Sequence, residues 1–232
     1  MKILNTRPAQ DSEAFAEACR SAGLTPVACP VMTIEHLRID VDSSSIGALA
    51  FTSANGVRAY SANSTRRDMR VFAVGDATAD AARDAGFADV TAAGGDVDAL
   101  AELIASEHFP DAGEVYHAAG DRLAGDLVGL LSEKGIAARK QAHYRARNVQ
   151  QLPSDVCAAM ANGEIDGVAF FSPRTAALFI TLAEKAAIAK YCESVAAACF
   201  SENVADAARA IKWRSIEVPH KRNLTAMAAL LK

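Results

Sequence analysis

The chain has 232 residues, 51% of them hydrophobic and 22% charged, a balance that excludes disorder and can bury one large core or two smaller ones. Lys and Arg number 24 against 28 Asp and Glu, a formal net charge of -4 with no dense basic stripe, so non-specific attraction to nucleic acid is excluded. No apolar run reaches the roughly 18 residues of a membrane span, and residues 1–4 pass into Asn5-Thr6-Arg7-Pro8 too soon for a signal peptide, so the cytoplasm is the expected compartment.

In chain order, residues 2–6 read as a short strand. Across 12–22 the apolar Phe15, Ala18, Cys19 and Ala22 fall at helical spacing, with Gly23 as the stop. Residues 25–29 form a second strand closed by Pro30, and 31–39 alternate loosely, as a partly solvated extended segment does. Residues 48–52 and 70–74 read as buried strands, each followed by a helix. Then come a helix over 99–107, a strand over 114–118 and a helix over 123–134 stopped by Gly135. Residues 136–149 carry Arg139, Lys140, His143, Tyr144, Arg145 and Arg147 without a helical stripe, and read as a second extended segment. The remainder reads as helix 154–161, strand 167–171, helix 175–184, strand 195–200, a helix from 204, strand 215–218 and helix 224–231. Asn203 and Asn223 are the expected N-caps of the last two helices.

Part of this pattern occurs twice. Ala48-Leu49-Ala50-Phe51-Thr52-Ser53-Ala54-Asn55-Gly56-Val57 is echoed by Gly167-Val168-Ala169-Phe170-Phe171-Ser172-Pro173-Arg174-Thr175-Ala176, and Val74-Gly75-Asp76-Ala77-Thr78-Ala79 by Phe200-Ser201-Glu202-Asn203-Val204-Ala205. Each is a strand, a polar turn and a helix. The alternation predicts an α/β protein of two similar lobes, each a parallel sheet flanked by helices, joined by a two-stranded connector with a cleft between. Domain 1 is then discontinuous, 1–33 with 149–232. Domain 2 is 34–148, including connector segments 34–40 and 138–148.

Several residues have ordinary readings. Ser53 and Ser172 suit N-caps, Gly75 a tight turn, and Thr78 the first turn of a helix. Tyr144 suits the edge of a core, Arg7 and Arg122 surface ion pairs. Arg174, beside Pro173 at a turn, is the better anion candidate. The five cysteines are scattered without a CxxC pair, and the five histidines show no HxxxH or HExxH spacing, so no metal site is expected. Gly94-Gly95-Asp96 is a loop and not a dinucleotide fingerprint, and Lys212–Arg214 is expected to be a solvated basic cluster.

Taken in order, a set of short motifs resembles the uroporphyrinogen-III synthase family. They are Thr6-Arg7-Pro8, Phe51-Thr52-Ser53-x-Asn55-Gly56-Val57, Ala73-Val74-Gly75-x-x-Thr78-Ala79, Gly120-Asp121-Arg122, Tyr144-Arg145, Phe170-x-Ser172-Pro173 and an Ala-rich helix after residue 203. Order and spacing along the whole chain carry the resemblance; no single motif does. The chain departs from the family pattern at Phe171, at Arg174 and in Ser201-Glu202-Asn203-Val204, which lacks the family's Gly and hydroxyl.

The resemblance implies a cofactor-free lyase acting on hydroxymethylbilane, a linear tetrapyrrole fringed with carboxylates. The reaction expels a terminal hydroxyl, forms an azafulvene cation and closes the ring with inversion of the last pyrrole. Helix N-termini would hold carboxylates through backbone N–H groups. Arg7, Ser53, Asn55, Gly75, Thr78, Arg122, Ser172, Arg174 and Asn203 are the implied substrate contacts. Tyr144 is implied to assist the departing hydroxyl, since a phenol of pKa about 10 can donate to it. The resemblance also implies a monomer. The alternative is a non-catalytic two-lobed protein that binds a tetrapyrrole or another anion. A phosphoacceptor receiver-like domain does not fit, because Asn5-Thr6-Arg7 stands where its acidic cluster would be.

Overall fold

The short apolar runs become two sheets in the computed structural model, which describes residues 1–108, 110–122 and 125–232. The elements are β1 (Lys2–Asn5), α1 (Ala9–Ser21), β2 (Thr25–Ala28), β3 (Met32–His36), β4 (Ile46–Phe51), α2 (Ala54–Asn63) and β5 (Arg70–Ala73). Next are α3 (Asp76–Asp84), β6 (Val90–Ala92), α4 (Val97–Glu107), β7 (Glu114–Gly120), α5 (Leu127–Glu133) and β8 (Ala138–Asn148). The last are α6 (Ser154–Ala161), β9 (Gly167–Phe170), α7 (Pro173–Lys185), β10 (Ala196–Cys199), α8 (Glu202–Ala208), β11 (Ser215–Glu217) and α9 (Leu224–Ala229). The chain divides into two units, 1–33 with 147–232 and 34–146.

The sheet of unit 1 has the order β11-β10-β9-β1-β2, and its strands pair in parallel. Its central strands are short, small and buried on both faces, as a parallel sheet covered by helices requires. On one face Ile3, Ala169 and Ala198 meet Phe15 and Cys19 of α1 and Met227 of α9. Gly167 lets the residues just after α9 approach: a Cβ there would lie 2.7 Å from Leu231 Cδ2. On the other face Phe170 packs edge-on to Phe179 of α7 and to Trp213, with centroids 5.4 and 5.6 Å apart.

Unit 2 has the order β3-β8-β7-β4-β5-β6. Alternation along β4 sorts its residues to opposite faces. Leu49 and Phe51 join Val57, Tyr60 and Tyr116 in one core, while Ala48 and Ala50 join Leu100, Ile104 and Leu127 in the other. From β6 to β8 the strands are parallel. The connector segments run opposite to one another: Leu37 N–H donates to the His143 carbonyl at 2.8 Å and Val149 N–H to the Val31 carbonyl at 3.0 Å. This edge makes the second sheet mixed.

The structure corrects several local expectations. Asn203 is not an N-cap: α8 begins at Glu202 and Ser201 precedes it as the cap, because Val204 and Ala205 must already be helical to reach the core. Asn223 does cap α9, accepting from Ala226 N–H at 2.8 Å. Gly75 caps α3 with φ -173°, extended backbone open to any residue, so no left-handed turn demands glycine there. Trp213 is not solvated among its basic neighbours; it donates to the Ala208 carbonyl at 2.8 Å and packs on Phe170. Strand β6 was unforeseen, being three residues long and half-buried. Helix α5 starts at Leu127, and positions 123 and 124 of the expected helix lie outside the described residues.

Candidate active site in unit 2

Parallel strands β4, β5 and β7 end on one edge of the sheet, where turns lead into helices, the ordinary place for a ligand site in such folds. A cavity of about 530 Å³ opens there, lined among others by Thr52, Ser53, His117, Gly120, Arg122 and Tyr144. Asp96 and Asp98, at the start of α4, complete one wall. The Asp96 carboxylate accepts from Ala99 N–H at 2.8 Å and so caps the helix.

Ser53 has two roles. Its Oγ accepts from Gly56 N–H at 3.2 Å, capping α2, and lies 2.8 Å from Tyr144 Oη. Tyr144 is held from several sides. Its backbone carbonyl accepts from Asp121 N–H at 3.0 Å, and its ring lies on Gly120, where an added Cβ would sit 2.8 Å from Cζ. Only a residue without a side chain leaves that space.

Below this pair, Thr52 Oγ1 lies 3.1 Å from His117 Nε2. His117 is 1% exposed, and its Nδ1 has no hydrogen-bond partner among the described residues. Burial, with a smaller contribution from Lys140, pushes its pKa down to about 4, so the ring is neutral near pH 7. The cavity therefore has a neutral polar floor, a phenol, a serine and the exposed Arg122 at its rim.

Of the residues expected to bind substrate, Ser53 and Arg122 line this cavity, together with Tyr144, expected to assist the departing hydroxyl. Asn55 lies in the first turn of α2, where its Oδ1 accepts from Arg58 Nη2 at 2.7 Å. Thr78 is buried in α3 at 6% exposure, and neither it nor Gly75 lines the cavity. Arg7, Ser172, Arg174 and Asn203 belong to unit 1. The Arg7 guanidinium lies over the Phe171 ring at 4.7 Å, and Arg174 donates to Asn148 Oδ1 at 2.8 Å. Ser172 closes a capping box with Thr175, each side chain bonding the other's backbone N–H at 3.2 and 3.1 Å.

Sequence reading missed His117, Asp96 and Asp98 as cavity residues. A histidine in the otherwise apolar strand Val115-Tyr116-His117-Ala118 was the available signal for the first. Asp96 and Asp98 look like ordinary helix-start acids and carried none. Among the described residues no group of three or more His, Cys, Asp and Glu side chains is placed to hold a metal ion, and no helix is long and apolar enough to cross a membrane.

A family profile described as "Uroporphyrinogen-III synthase HemD" matches residues 13–229. Among solved structures, uroporphyrinogen-III synthetase from Helicobacter pylori aligns with a TM-score of 0.64 at 17% identity, covering 99% of this chain and 96% of that one. A mutant uroporphyrinogen III synthase from Thermus thermophilus aligns at 0.55 and 18% identity, covering 99% and 96%. These two likenesses concern the fold. A search among curated protein sequences returned no match. The family match does not favour the alternative of a binding protein without chemistry. With its fold, its turns and a profile match spanning nearly the whole length, the chain belongs to the uroporphyrinogen-III synthase family, the cyclising hydro-lyases of haem biosynthesis.

Proposed function

We propose that the unit 2 cavity is where hydroxymethylbilane loses its terminal hydroxyl, with Tyr144 as the assisting donor. The observation that carries this is the 2.8 Å contact between Ser53 Oγ and Tyr144 Oη beside Gly120 in the cavity wall. Ser53 already accepts a backbone N–H, so its own proton is suited to bond Tyr144 Oη. A phenol that accepts there is the donor in any bond made with its own proton, the polarity that a departing hydroxyl needs. Losing hydroxide leaves a cation on the bilane, and the acidic Asp96 and Asp98 favour positive charge in the same hollow.

Substrate carboxylates find Arg122 and the N–H groups at the start of α2. Arg7, Asn55, Gly75, Thr78, Ser172, Arg174 and Asn203 remain proposed contacts for the other carboxylate arms. Those whose hydrogen bonds are already described within the fold, Asn55, Ser172 and Arg174, must give them up or share them. The same reading makes the enzyme a cytoplasmic monomer working without a cofactor. Purified protein given enzymatically generated bilane should yield oxidised porphyrin of isomer III. Only isomer I, the spontaneous product, would refute the assignment.

A further inference from the structure

We infer that His143 is a positioning residue for Tyr144: the buried imidazole pins a one-residue bulge in β8 that carries the phenol onto Gly120 and to Ser53. The inference rests on the assignment of Tyr144 made above. Pairing between β7 and β8 is regular from Val115 with Ala138 to Ala119 with Ala142, and then Gly120 pairs with Tyr144. His143 is the extra residue. In unbroken register His143 would stand opposite Gly120 and Tyr144 would fall one place beyond the end of β7. Bulges re-aim side chains in this way, and they recur beside functional sites.

What holds the bulge is the side chain of the inserted residue. His143 is 0% exposed, with its ring edge-on to Tyr116 at 5.6 Å and tilted against Tyr60 at 5.7 Å. Its Nε2 lies 2.7 Å from Tyr116 Oη, which also donates to Gln141 Oε1 at 2.8 Å. At the other edge Nδ1 is 3.4 Å from the Asn63 amide, and the ring bonds the backbone of Ala59. Asn63 in turn donates to the Leu37 carbonyl at 2.8 Å, tying in the neighbouring strand. Both polar edges of the imidazole are therefore anchored to α2, the helix that Ser53 caps, or to β7, whose last residue is Gly120.

The other irregularity in this sheet makes the contrast. Between β4 and β7 the extra residue is Gly47, where a Cβ would lie 1.9 Å from the Ala112 carbonyl oxygen. Backbone crowding alone fixes that bulge and requires glycine. At position 143 a bulky, hydrogen-bonded ring does the fixing, so its loss releases the register instead of relieving a clash.

The test compares His143→Leu in the native protein and in Tyr144→Phe. Acting through Tyr144, His143→Leu should lower kcat about tenfold with KM little changed, and should cost nothing further once the phenol is gone. His143→Gln, which keeps a donor and an acceptor, should recover most of the rate; should His143→Leu fail to fold, His143→Phe, which keeps a ring but loses both polar edges, takes over the same comparison. An equal loss in both backgrounds would overturn the inference, since a general loosening does not need the hydroxyl. A native rate for Tyr144→Phe would instead overturn the Tyr144 assignment, and this inference with it.

Discussion

In unit 1, Ser172 follows β9 and caps α7; in unit 2, Ser53 follows β4 and caps α2, and the flanking sequence is the same apolar run, serine and helix. The two hydroxyls are used differently. Ser172 turns inward on its own helix, bonding Thr175 through backbone and side chain, with Thr175 4% exposed. Ser53 makes the cap bond and also reaches Tyr144 across the cavity edge. Their neighbours differ accordingly. Phe171, just before Ser172, packs edge-on to Phe15 at 5.0 Å, whereas Thr52, just before Ser53, meets His117 in a polar floor. A repeated motif thus serves once as a closed structural cap and once as an open one. The residue that precedes the serine, and the partner that faces it, separate the two uses.

The largest expected effect sharpens the open side. Tyr144→Phe should lower kcat on the order of 100-fold, within the usual range for a proton donor, while substrate binding changes little. Steady-state kinetics with freshly made bilane measures it, and an unchanged kcat removes Tyr144 from the mechanism. Next comes Gly120→Ala, whose methyl group would meet Tyr144 Cζ at 2.8 Å and Oη at 3.0 Å. It should displace the ring and lower kcat about tenfold, with a crystal structure showing a lengthened contact to Ser53.

The serines themselves then test the comparison directly. Ser53→Ala and Ser172→Ala should each cost about 1 kcal/mol of stability as lost caps, but Ser53→Ala should weaken substrate binding more, since Ser172 can meet a carboxylate arm only by giving up or sharing its cap bonds. Denaturant melts and KM values for both variants check this, and an equal rise of KM in the two would break the distinction between open and closed turns.

The smallest effect is a slope near neutral pH. Burial pushes His117 and His143 down to about 4, whereas an unfolded histidine titrates near 6.5. Below about pH 6.5 the unfolded chain takes up protons that the folded one refuses, so these groups remove stability as pH falls toward 4. His117→Asn should flatten the fall of the melting midpoint between pH 7 and pH 5; an identical fall in this variant would discount His117.

Much of the fold was legible because its elements are short apolar runs separated by helical stripes, with stops at Gly23 and Gly135 that the structure uses at positive φ. The connector was readable from the missing stripe in 136–149. β6 was not, because three half-buried residues carry no period. Of the residues that line the cavity, Ser53, Arg122 and Tyr144 stand in motifs quoted for the resemblance, and proximity in space added His117, Asp96 and Asp98. Thr78, implied by the same resemblance, is 6% exposed in the first turn of α3 and does not line this cavity. The bulge at His143 lay beyond sequence reading as well, since register is a property of two strands and not of one.

The distribution of reporter groups has a practical consequence. All five cysteines and the single tryptophan fall in unit 1, while the cavity belongs to unit 2. Cys19, Cys29, Cys192 and Cys199 are buried, and burial pushes their thiols up to between about 11 and 12. They should stay silent to alkylating reagents until that half opens. Indole emission and thiol trapping will therefore chart the melting of one half only. The half that holds the cavity must be followed through its own chromophores, of which Tyr60, Tyr116 and Tyr144 are three of the four tyrosines in the chain.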